Sequence, residues 1–228
     1  FRLSRSEGLG LDPQTRILLE QVSTVLAAPG AWQPTQAQAT GTYIGCMYNE
    51  YVDLVSSVSS VDTSVMTGSG SSFLVGRVSY TFGLQGPCVS TDTACSSSLV
   101  ATHMAHRGIL DGETTAAVAA GTNLMLNAQT TAGICKLGAL SYVGRCQTFS
   151  VDGDGYGRGE GFTAVLLGRT AEVRSALGIV TGTAVNQDGR SSGLTAPNGP
   201  AQTMLVKTAM TAAQIDAHDV AYMAIHGT

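Results

Sequence analysis

Apolar positions along the chain follow a helical spacing in some segments and a strand-like spacing in others, which predicts an α/β fold. Residues 13–26 carry apolar side chains at helical spacing after an Asp that suits the N-cap and a Pro in the first turn. Further helices are predicted over 51–55, 73–82, 95–110, 129–140 and 202–213. Strands rich in β-branched and apolar residues are predicted over 42–48, 88–92, 116–122, 162–167, 179–185 and 222–225.

One strand, helix and strand unit carries candidate chemistry. The short connections between residues 88–92, the helix that starts at Cys95 and residues 116–122 predict a parallel pair with a right-handed crossover. Cys95 then lies at the carboxyl end of a strand, where ligands of open α/β sheets collect. The helix is expected to be buried along the side formed by Leu99, Val100, His103 and Met104.

Cys95 is the candidate nucleophile. Free N–H groups and the positive end of the dipole in the first turn of a helix favour a thiolate over a thiol. Most cysteines, however, pack as small apolar residues. That interpretation applies to the four cysteines without a comparable setting, which are Cys46, Cys88, Cys135 and Cys146.

The composition excludes several classes of protein. Only 12% of the 228 residues are charged and 43% are apolar, which predicts either a multilayered fold with buried helices or a large subunit interface. Apolar runs stay well below the roughly 18 residues of a membrane-spanning helix. A net charge of −4 and scattered Lys and Arg residues argue against a nucleic-acid partner.

The cysteines bear on the cellular location of the protein, and the chain ends bear on its extent. The five cysteines include no C-x-x-C pair, which favours reduced thiols and a cytoplasmic location. No signal peptide opens the chain, and both Phe1 and Thr228 are expected to be cut ends of a longer domain.

Two glycine-rich segments are similar to ligand-binding loops but lack residues that such loops require. Residues 68–72 lack the Lys of a phosphate-binding loop. Residues 152–161 place Tyr156 where a calcium-binding loop needs an oxygen ligand, and no Glu closes a twelve-residue loop. They also lack the glycine offsets of a dinucleotide-binding turn. The second segment is therefore expected to make tight backbone turns near the Cys95 turn.

The sequences of several segments resemble the motifs of one protein family. Residues 92–101, Asp-Thr-Ala-Cys-Ser-Ser-Ser-Leu-Val-Ala, resemble the nucleophile motif of β-ketoacyl synthases, in particular ketosynthase domains of modular type I polyketide synthases. Residues 11–20, 152–161 and 185–200 extend the resemblance, with Ser150 where many members have Asp.

The resemblance implies a thiolase-like fold with layers α, β, α, β, α, of which the second half is truncated. Residues 1–170 would form the first half, with the nucleophile, and residues 171–228 would begin the second half. His226 directly follows the strand predicted over 222–225, so it would lie at the carboxyl end of that strand.

The resemblance also assigns further site residues. His226 matches the family's His-Gly-Thr motif and would assist decarboxylation of a malonyl unit, although Ala224 and Ile225 depart from the usual residues before it. Thr195 and Thr228 match positions that touch the pantetheine arm. The family's second histidine and its lysine are expected beyond Thr228.

The implied activity is that of an acyltransferase in polyketide or fatty acid biosynthesis. Cys95 would hold an acyl chain while a malonyl-type extender on an acyl carrier protein undergoes decarboxylative Claisen condensation with it. The domain would bind no cofactor and no metal of its own, because the phosphopantetheine arm of the carrier delivers the substrates. A homodimer is expected.

Three alternatives remain at this stage. A non-elongating synthase would keep Cys95 and pass acyl chains onward without condensation. A cysteine hydrolase would need a base with an orienting Asn or Asp and would release a free acid. A carrier-binding scaffold would show no turnover.

Overall fold

The computed structural model of the chain describes residue 1 and residues 3–58, 63–171 and 176–227. The chain divides into two compact units, Phe1–Arg174 with His226–Thr228, and Ser175–Ile225.

The first unit is a four-stranded sheet with helices on both faces. Its helices are α1 Arg5–Gly10, α2 Pro13–Leu26, α3 Tyr51–Val58, α4 Thr63–Gly68, α5 Ser71–Phe82, α6 Ser97–Leu110 and α7 Ala128–Lys136. Its strands are β1 Thr40–Cys46, β2 Cys88–Thr91, β3 Ala116–Asn123 and β4 Gly161–Gly168. Each of these strands and helices except α1 and α4 overlaps a predicted element.

The sheet is mixed, in the order β2-β1-β3-β4. Strands β2 and β3 both run parallel to β1, and β4 runs antiparallel to β3. The predicted parallel direction of β2 and β3 is therefore confirmed, but the prediction that they pair with each other is wrong. Strand β1 lies between them, and all seven of its residues are buried, as suits a central strand covered on both faces.

Successive residues of the central strands point into two separate cores. On one face, Ile44 and Val118 belong to a cluster with Leu18 and Leu19 of α2 and Val78 of α5. On the other face, Tyr43 and Ala119 belong to a cluster with Ala101, Ala105 and Ile109 of α6. The first unit is thus a three-layer sandwich in which α6 alone among these three helices covers the second face.

Helix α6 buries a different side from the predicted one. Its buried residues are small ones that allow a close approach to the sheet, with one larger residue near the end: Ser97, Ala101, Ala105, Gly108 and Ile109. Leu99, for which the sequence predicts burial, is 73% exposed. The prediction is wrong because it follows side-chain size, whereas the narrow space against the sheet selects for small residues.

Two glycines allow the first turn of α6 to lie directly on the sheet. Gly45 of β1 and Gly121 of β3 are paired in the parallel register. A Cβ atom on Gly45 would lie 2.4 Å from the carbonyl carbon of Ser97, and one on Gly121 would lie 2.6 Å from the Cβ of Ser98. Any larger residue at these positions would push the start of α6 away from the strands.

The second unit contains helix α8, Gly199–Ala213, and a short 3-10 turn, Ala217–Asp219. The strands predicted over 179–185 and 222–225 are absent: both segments are described, and neither forms a strand. The prediction of these two strands is wrong because an apolar pattern does not supply the hydrogen-bonded neighbour that a strand needs. The apolar side chains behind the prediction are exposed, with Ile179 at 68% and Tyr222 at 84%.

We expect Gly45→Ala to destabilise the protein by about 1–3 kcal/mol, because the added methyl group meets main-chain atoms that cannot rotate away. Thermal unfolding followed by circular dichroism measures the effect. Gly76→Ala is the matched control, since a Cβ on Gly76 in α5 meets nothing within 4 Å. That substitution should stabilise the helix by about 0.5–1 kcal/mol. Equal effects of the two variants would contradict the close approach of α6 to β1.

Candidate active site

Cys95 is exposed on the turn between the end of β2 and the start of α6. Strand β2 ends at Thr91, and α6 begins at Ser97 with Ser96 as its N-cap residue. Cys95 therefore precedes the helix by two residues, although the sequence predicts it in the first turn. Cys95 lies at the carboxyl edge of the sheet, where ligands of open α/β sheets collect.

The turn that presents Cys95 is strained and held by hydrogen bonds. Ala94 has φ +57°, a left-handed conformation that costs a non-glycine residue about 1–3 kcal/mol. The Ala94 N–H donates to Oδ1 of Asp92 over 2.9 Å. The buried Ser97 hydroxyl accepts from the Thr93 N–H over 2.9 Å and donates to the Ala94 carbonyl over 2.6 Å. These bonds, each contributing about 0.5–1.5 kcal/mol, offset the strain.

This strand, sharp turn and helix arrangement has a chemical consequence. A nucleophile on such a turn projects from the backbone, and backbone N–H groups lie close to the point of attack. Ser97 also contacts Gly45 across the sheet, so the hydrogen-bonded turn is anchored directly to the central strands. The thiol of Cys95 is thus presented from a rigid support.

Tyr156 lies within electrostatic range of Cys95. Burial raises the pKa of Tyr156, and the charge of Tyr48 adds to this, whereas Arg158 lowers the pKa and Cys95 raises it further. Tyr156 belongs to the glycine-rich residues 152–161, so that segment lies within electrostatic range of Cys95.

Backbone hydrogen bonds hold this glycine-rich segment against residues 139–141. The Tyr156 N–H donates to the carbonyl of Ala139, and the Tyr156 carbonyl accepts from the Ser141 N–H, both over 3.0 Å. Gly155 has φ +146°, and a Cβ there would lie 2.5 Å from the carbonyl carbon of Leu140. Glycine is therefore required at the residue that precedes Tyr156.

The carboxyl edge of the sheet anchors the end of the same segment. The Asn123 side-chain amide donates to the Gly159 carbonyl over 2.6 Å. Oε1 of Glu160 accepts from the Met125 N–H over 2.8 Å. Residues on either side of Tyr156 are therefore fixed to the fold.

The other cysteines differ in their settings. Cys46 is buried, and burial raises its pKa to about 11, with smaller contributions from the charges of Asp12 and Asp92. Its packing role agrees with the interpretation from the sequence. Cys88, Cys135 and Cys146 are exposed, so exposure alone does not distinguish Cys95. Its position on the strained turn does.

His226 is exposed and belongs to the first unit together with Cys95. The expectation that it follows a strand is wrong, since residues 222–225 are described and form none. The carbonyl of the next residue, Gly227, accepts a hydrogen bond from the Thr148 hydroxyl over 3.1 Å. Thr148 thus contacts the chain beside His226.

The resemblance assigned two pantetheine contacts. Thr195 is exposed on a turn of the second unit. Thr228 lies outside the described residues.

Sequence reasoning missed two features that shape the site. The strained Ala94 precedes the nucleophile, and an alanine gives no signal for a left-handed conformation. Glu50 and Arg158 form a buried ion pair near Tyr156, with exposed fractions of 5% and 8%. The sequence gives one indication of this pair, which is that charged residues are rare in the chain. Because Glu50 and Arg158 are far apart in sequence, no local pattern connects them.

Metal-binding clusters and membrane-spanning helices are both absent from the described part of the chain. No group of three or more His, Cys, Asp or Glu side chains there is arranged to hold a metal ion. None of the described helices combines the length and the apolar character needed to cross a membrane.

Known proteins resemble the chain throughout. Residues 1–173 match the N-terminal domain of β-ketoacyl synthases, and residues 177–228 match the C-terminal domain. A phenolphthiocerol/phthiocerol polyketide synthase of Mycobacterium tuberculosis is 41% identical over 236 residues. Polyketide synthase GfsA of Streptomyces halstedii is 40% identical over 235 residues. The alignments cover 100% of this chain but only 11% and 3% of those proteins.

Solved structures give the same picture. The oxazolomycin ketosynthase domain OzmH KS7 of Streptomyces albus JA3453 superimposes with a TM-score of 0.90 at 35% identity. The ketosynthase from module 6 of the bacillaene synthase of Bacillus subtilis 168 gives a TM-score of 0.85 at 30% identity. Both alignments cover 100% of this chain and 40% of the solved chain.

The fold is accordingly thiolase-like, as the resemblance predicted, and this chain spans less than half of a solved ketosynthase chain. With both domain models matched along nearly its whole length, the chain belongs to the β-ketoacyl synthase family.

Proposed function

We propose that the protein carrying this chain is a condensing ketosynthase of polyketide biosynthesis, with Cys95 as its nucleophile. The observation that supports this most is the exposed Cys95 thiol on a strained turn that is anchored to the central strands. The reaction class is inferred from membership of the β-ketoacyl synthase family. The identity of the nucleophile is inferred from the position of Cys95 on the turn.

In the first stage, the Cys95 thiolate attacks the carbonyl carbon of an acyl thioester on an acyl carrier protein. A C–S bond forms, the negative charge moves to the carbonyl oxygen, and the Cys95 N–H donates a hydrogen bond to it. Collapse of the intermediate expels the pantetheine thiolate. The acyl chain remains on Cys95 as a thioester.

In the second stage, a malonyl-type thioester on a carrier loses carbon dioxide. The electron pair of the broken C–C bond forms an enolate, to which the His226 imidazole donates a hydrogen bond. The enolate carbon attacks the acyl-Cys95 carbonyl and expels the Cys95 thiolate. The product is a β-ketoacyl thioester on the carrier.

The same proposal covers the setting of the reaction. The phosphopantetheine arm of the carrier brings both substrates, so the domain needs no cofactor of its own, and Thr195 and Thr228 contact that arm. Five free cysteines favour a reducing, cytoplasmic location. The small share of charged residues, 12%, suits the extensive interface of a homodimer.

We expect iodoacetamide to alkylate Cys95 before the other four cysteines in the full-length protein that carries this chain. Cys46 should react last, because a pKa of about 11 leaves only about one thiol in a thousand ionised at pH 8. Peptide mass spectrometry after timed quenching measures each rate. Uniform rates at Cys88, Cys95, Cys135 and Cys146 would argue against an activated Cys95.

We expect His226→Ala to separate the two stages. Acylation of Cys95 should remain, whereas decarboxylation and condensation should fall about 10²–10³-fold through loss of a hydrogen bond to the developing enolate. Intact-protein mass spectrometry follows the acyl-enzyme, and chromatography follows the β-keto product. Cys95→Ala should abolish acylation itself.

His218→Ala is the matched control, because His218 is an exposed histidine of the 3-10 turn in the second unit. It should leave both stages unchanged. A wild-type protein that acylates Cys95 and transfers the chain without forming a β-keto product would instead be a non-elongating synthase.

A further inference from the structure

The Ser97 side chain is buried beneath the backbone that carries Cys95. Ser97 is 5% exposed, whereas Thr93, Ala94 and Cys95 before it are all exposed. Its hydroxyl accepts a hydrogen bond from the Thr93 N–H over 2.9 Å and donates one to the Ala94 carbonyl over 2.6 Å. Serine hydroxyls bond readily to neighbouring backbone groups. Here both the donor and the acceptor function of the hydroxyl serve the turn.

The Ala94 carbonyl accepts a second hydrogen bond from the same residue. The Ser97 N–H donates to it over 3.1 Å. The backbone of Ser97 in turn lies against the central strand β1, because a Cβ atom on Gly45 would be 2.4 Å from the Ser97 carbonyl carbon. Two donors on a firmly seated residue therefore fix the direction of the Ala94 C=O bond.

The Ala94 carbonyl and the Cys95 N–H belong to one peptide unit. That unit is trans, and the C=O and N–H bonds of a planar trans peptide point in opposite directions. Fixing the carbonyl towards Ser97 therefore directs the Cys95 N–H away from it. Within the described chain, no hydrogen bond has this N–H as its donor, so it can bond an oxygen atom beside the thiol.

The strain at Ala94 makes the direction of this peptide unit dependent on its restraints. Ala94 has φ +57°, a conformation that costs a non-glycine residue about 1–3 kcal/mol. Relaxation of Ala94 towards negative φ would rotate the peptide unit that carries the Cys95 N–H. Oδ1 of Asp92 holds the Ala94 N–H, and Ser97 holds the Ala94 carbonyl. Without the hydroxyl, only the Ser97 N–H would hold the carbonyl.

We propose that Ser97 is a positioning residue for the oxyanion donor, because its hydroxyl orients the Ala94–Cys95 peptide unit so that the Cys95 N–H points at the substrate oxygen. This inference rests on the proposed role of Cys95 as the acyl acceptor. Ser97 touches neither the substrate nor the thiol and acts through the backbone alone.

The step that depends on this orientation is the attack on the thioester. The Cys95 sulfur forms a bond to the carbonyl carbon, and an electron pair of the C=O bond moves to the oxygen, which the Cys95 N–H stabilises. Collapse of this intermediate restores the carbonyl and expels the thiolate of the donor, which takes up a proton from water. The effect of Ser97 is therefore confined to steps in which an oxyanion develops.

Alkylation of the same sulfur provides the comparison that isolates this effect. Iodoacetamide reacts with a thiolate by displacement, in which an S–C bond forms while the C–I bond breaks and iodide leaves. No oxyanion develops, so the direction of the Cys95 N–H does not affect the rate. A change in the exposure or ionisation of the thiol, in contrast, affects alkylation and acylation alike.

Ser97→Ala tests the inference in the full-length protein that carries this chain. We expect single-turnover acylation of Cys95 by the N-acetylcysteamine thioester of butyric acid to slow about tenfold or more, since complete loss of an oxyanion donor costs about 10²–10³-fold. Alkylation of Cys95 by iodoacetamide should stay within about twofold, because that reaction uses no oxyanion donor. Intact-protein and peptide mass spectrometry measure the two rates.

Two serine and threonine variants serve as controls. The Ser96 hydroxyl donates to the Thr93 carbonyl over 2.9 Å and lies 2.8 Å from the Thr93 hydroxyl, but in the described chain it makes no bond to the Ala94–Cys95 peptide unit. Ser96→Ala, the matched control, should therefore change neither rate. Ser97→Thr keeps a hydroxyl at the same position and should recover most of the acylation rate that Ser97→Ala loses.

Each other outcome contradicts a specific statement. An unchanged acylation rate in the folded Ser97→Ala variant would overturn the inference, and so would equal losses of acylation and alkylation. Should Ser97→Ala unfold, Ala94→Gly/Ser97→Ala removes the strain that the hydroxyl offsets, and it must show the same selective loss of acylation. A wild-type protein that acquires no butyryl group on Cys95 contradicts the proposed function itself. Normal acylation of the wild-type and Ser97→Ala proteins alike contradicts only the role of Ser97.

Discussion

The direct contact between the first turn of α6 and two central strands is the constraint on which the rest of the structure depends. Gly45 and Gly121 are paired in β1 and β3. The backbone of Ser97 and Ser98 occupies the space that a side chain on Gly45 would need, and the Cβ of Ser98 occupies the space that one on Gly121 would need. A helix that approaches this closely must be lined by small residues, which is why α6 buries Ala101 and Ala105 rather than Leu99. The position of the Cys95 turn follows from that contact.

Close packing of the helix start also explains the strain in the turn. The chain must leave the edge strand β2 and reach the helix within a few residues, and Ala94 adopts a left-handed conformation to do so. Ser97 serves both purposes, because its backbone rests on Gly45 and its hydroxyl bonds to Thr93 and Ala94. The same residue therefore supports the start of α6 and holds the turn that carries Cys95. A substitution at Gly45 would consequently alter the position of Cys95.

The sequence revealed the parts of this arrangement that depend on local periodicity and residue chemistry. The Asp12-Pro13 start of α2, the helix after Cys95 and the buried strand β1 were all predictable from spacing and caps. Features that depend on distant neighbours were not. The insertion of β1 between β2 and β3 requires knowledge of pairing, and residues 222–225 have strand-forming side chains yet form no strand in the described chain.

The charged groups at the carboxyl edge show that residues which no local pattern reveals hold the loops there in place. An apolar pair in place of Glu50 and Arg158 would avoid the cost of desolvation, yet it would offer no directional bonds to the Leu126 and Asn127 N–H groups or to Thr131. Glycine-rich backbone has many accessible conformations, so it requires directional restraints to hold one of them. The glycines allow tight turns in residues 152–161, and the hydrogen bond from Arg158 to Thr131 restrains that segment against α7.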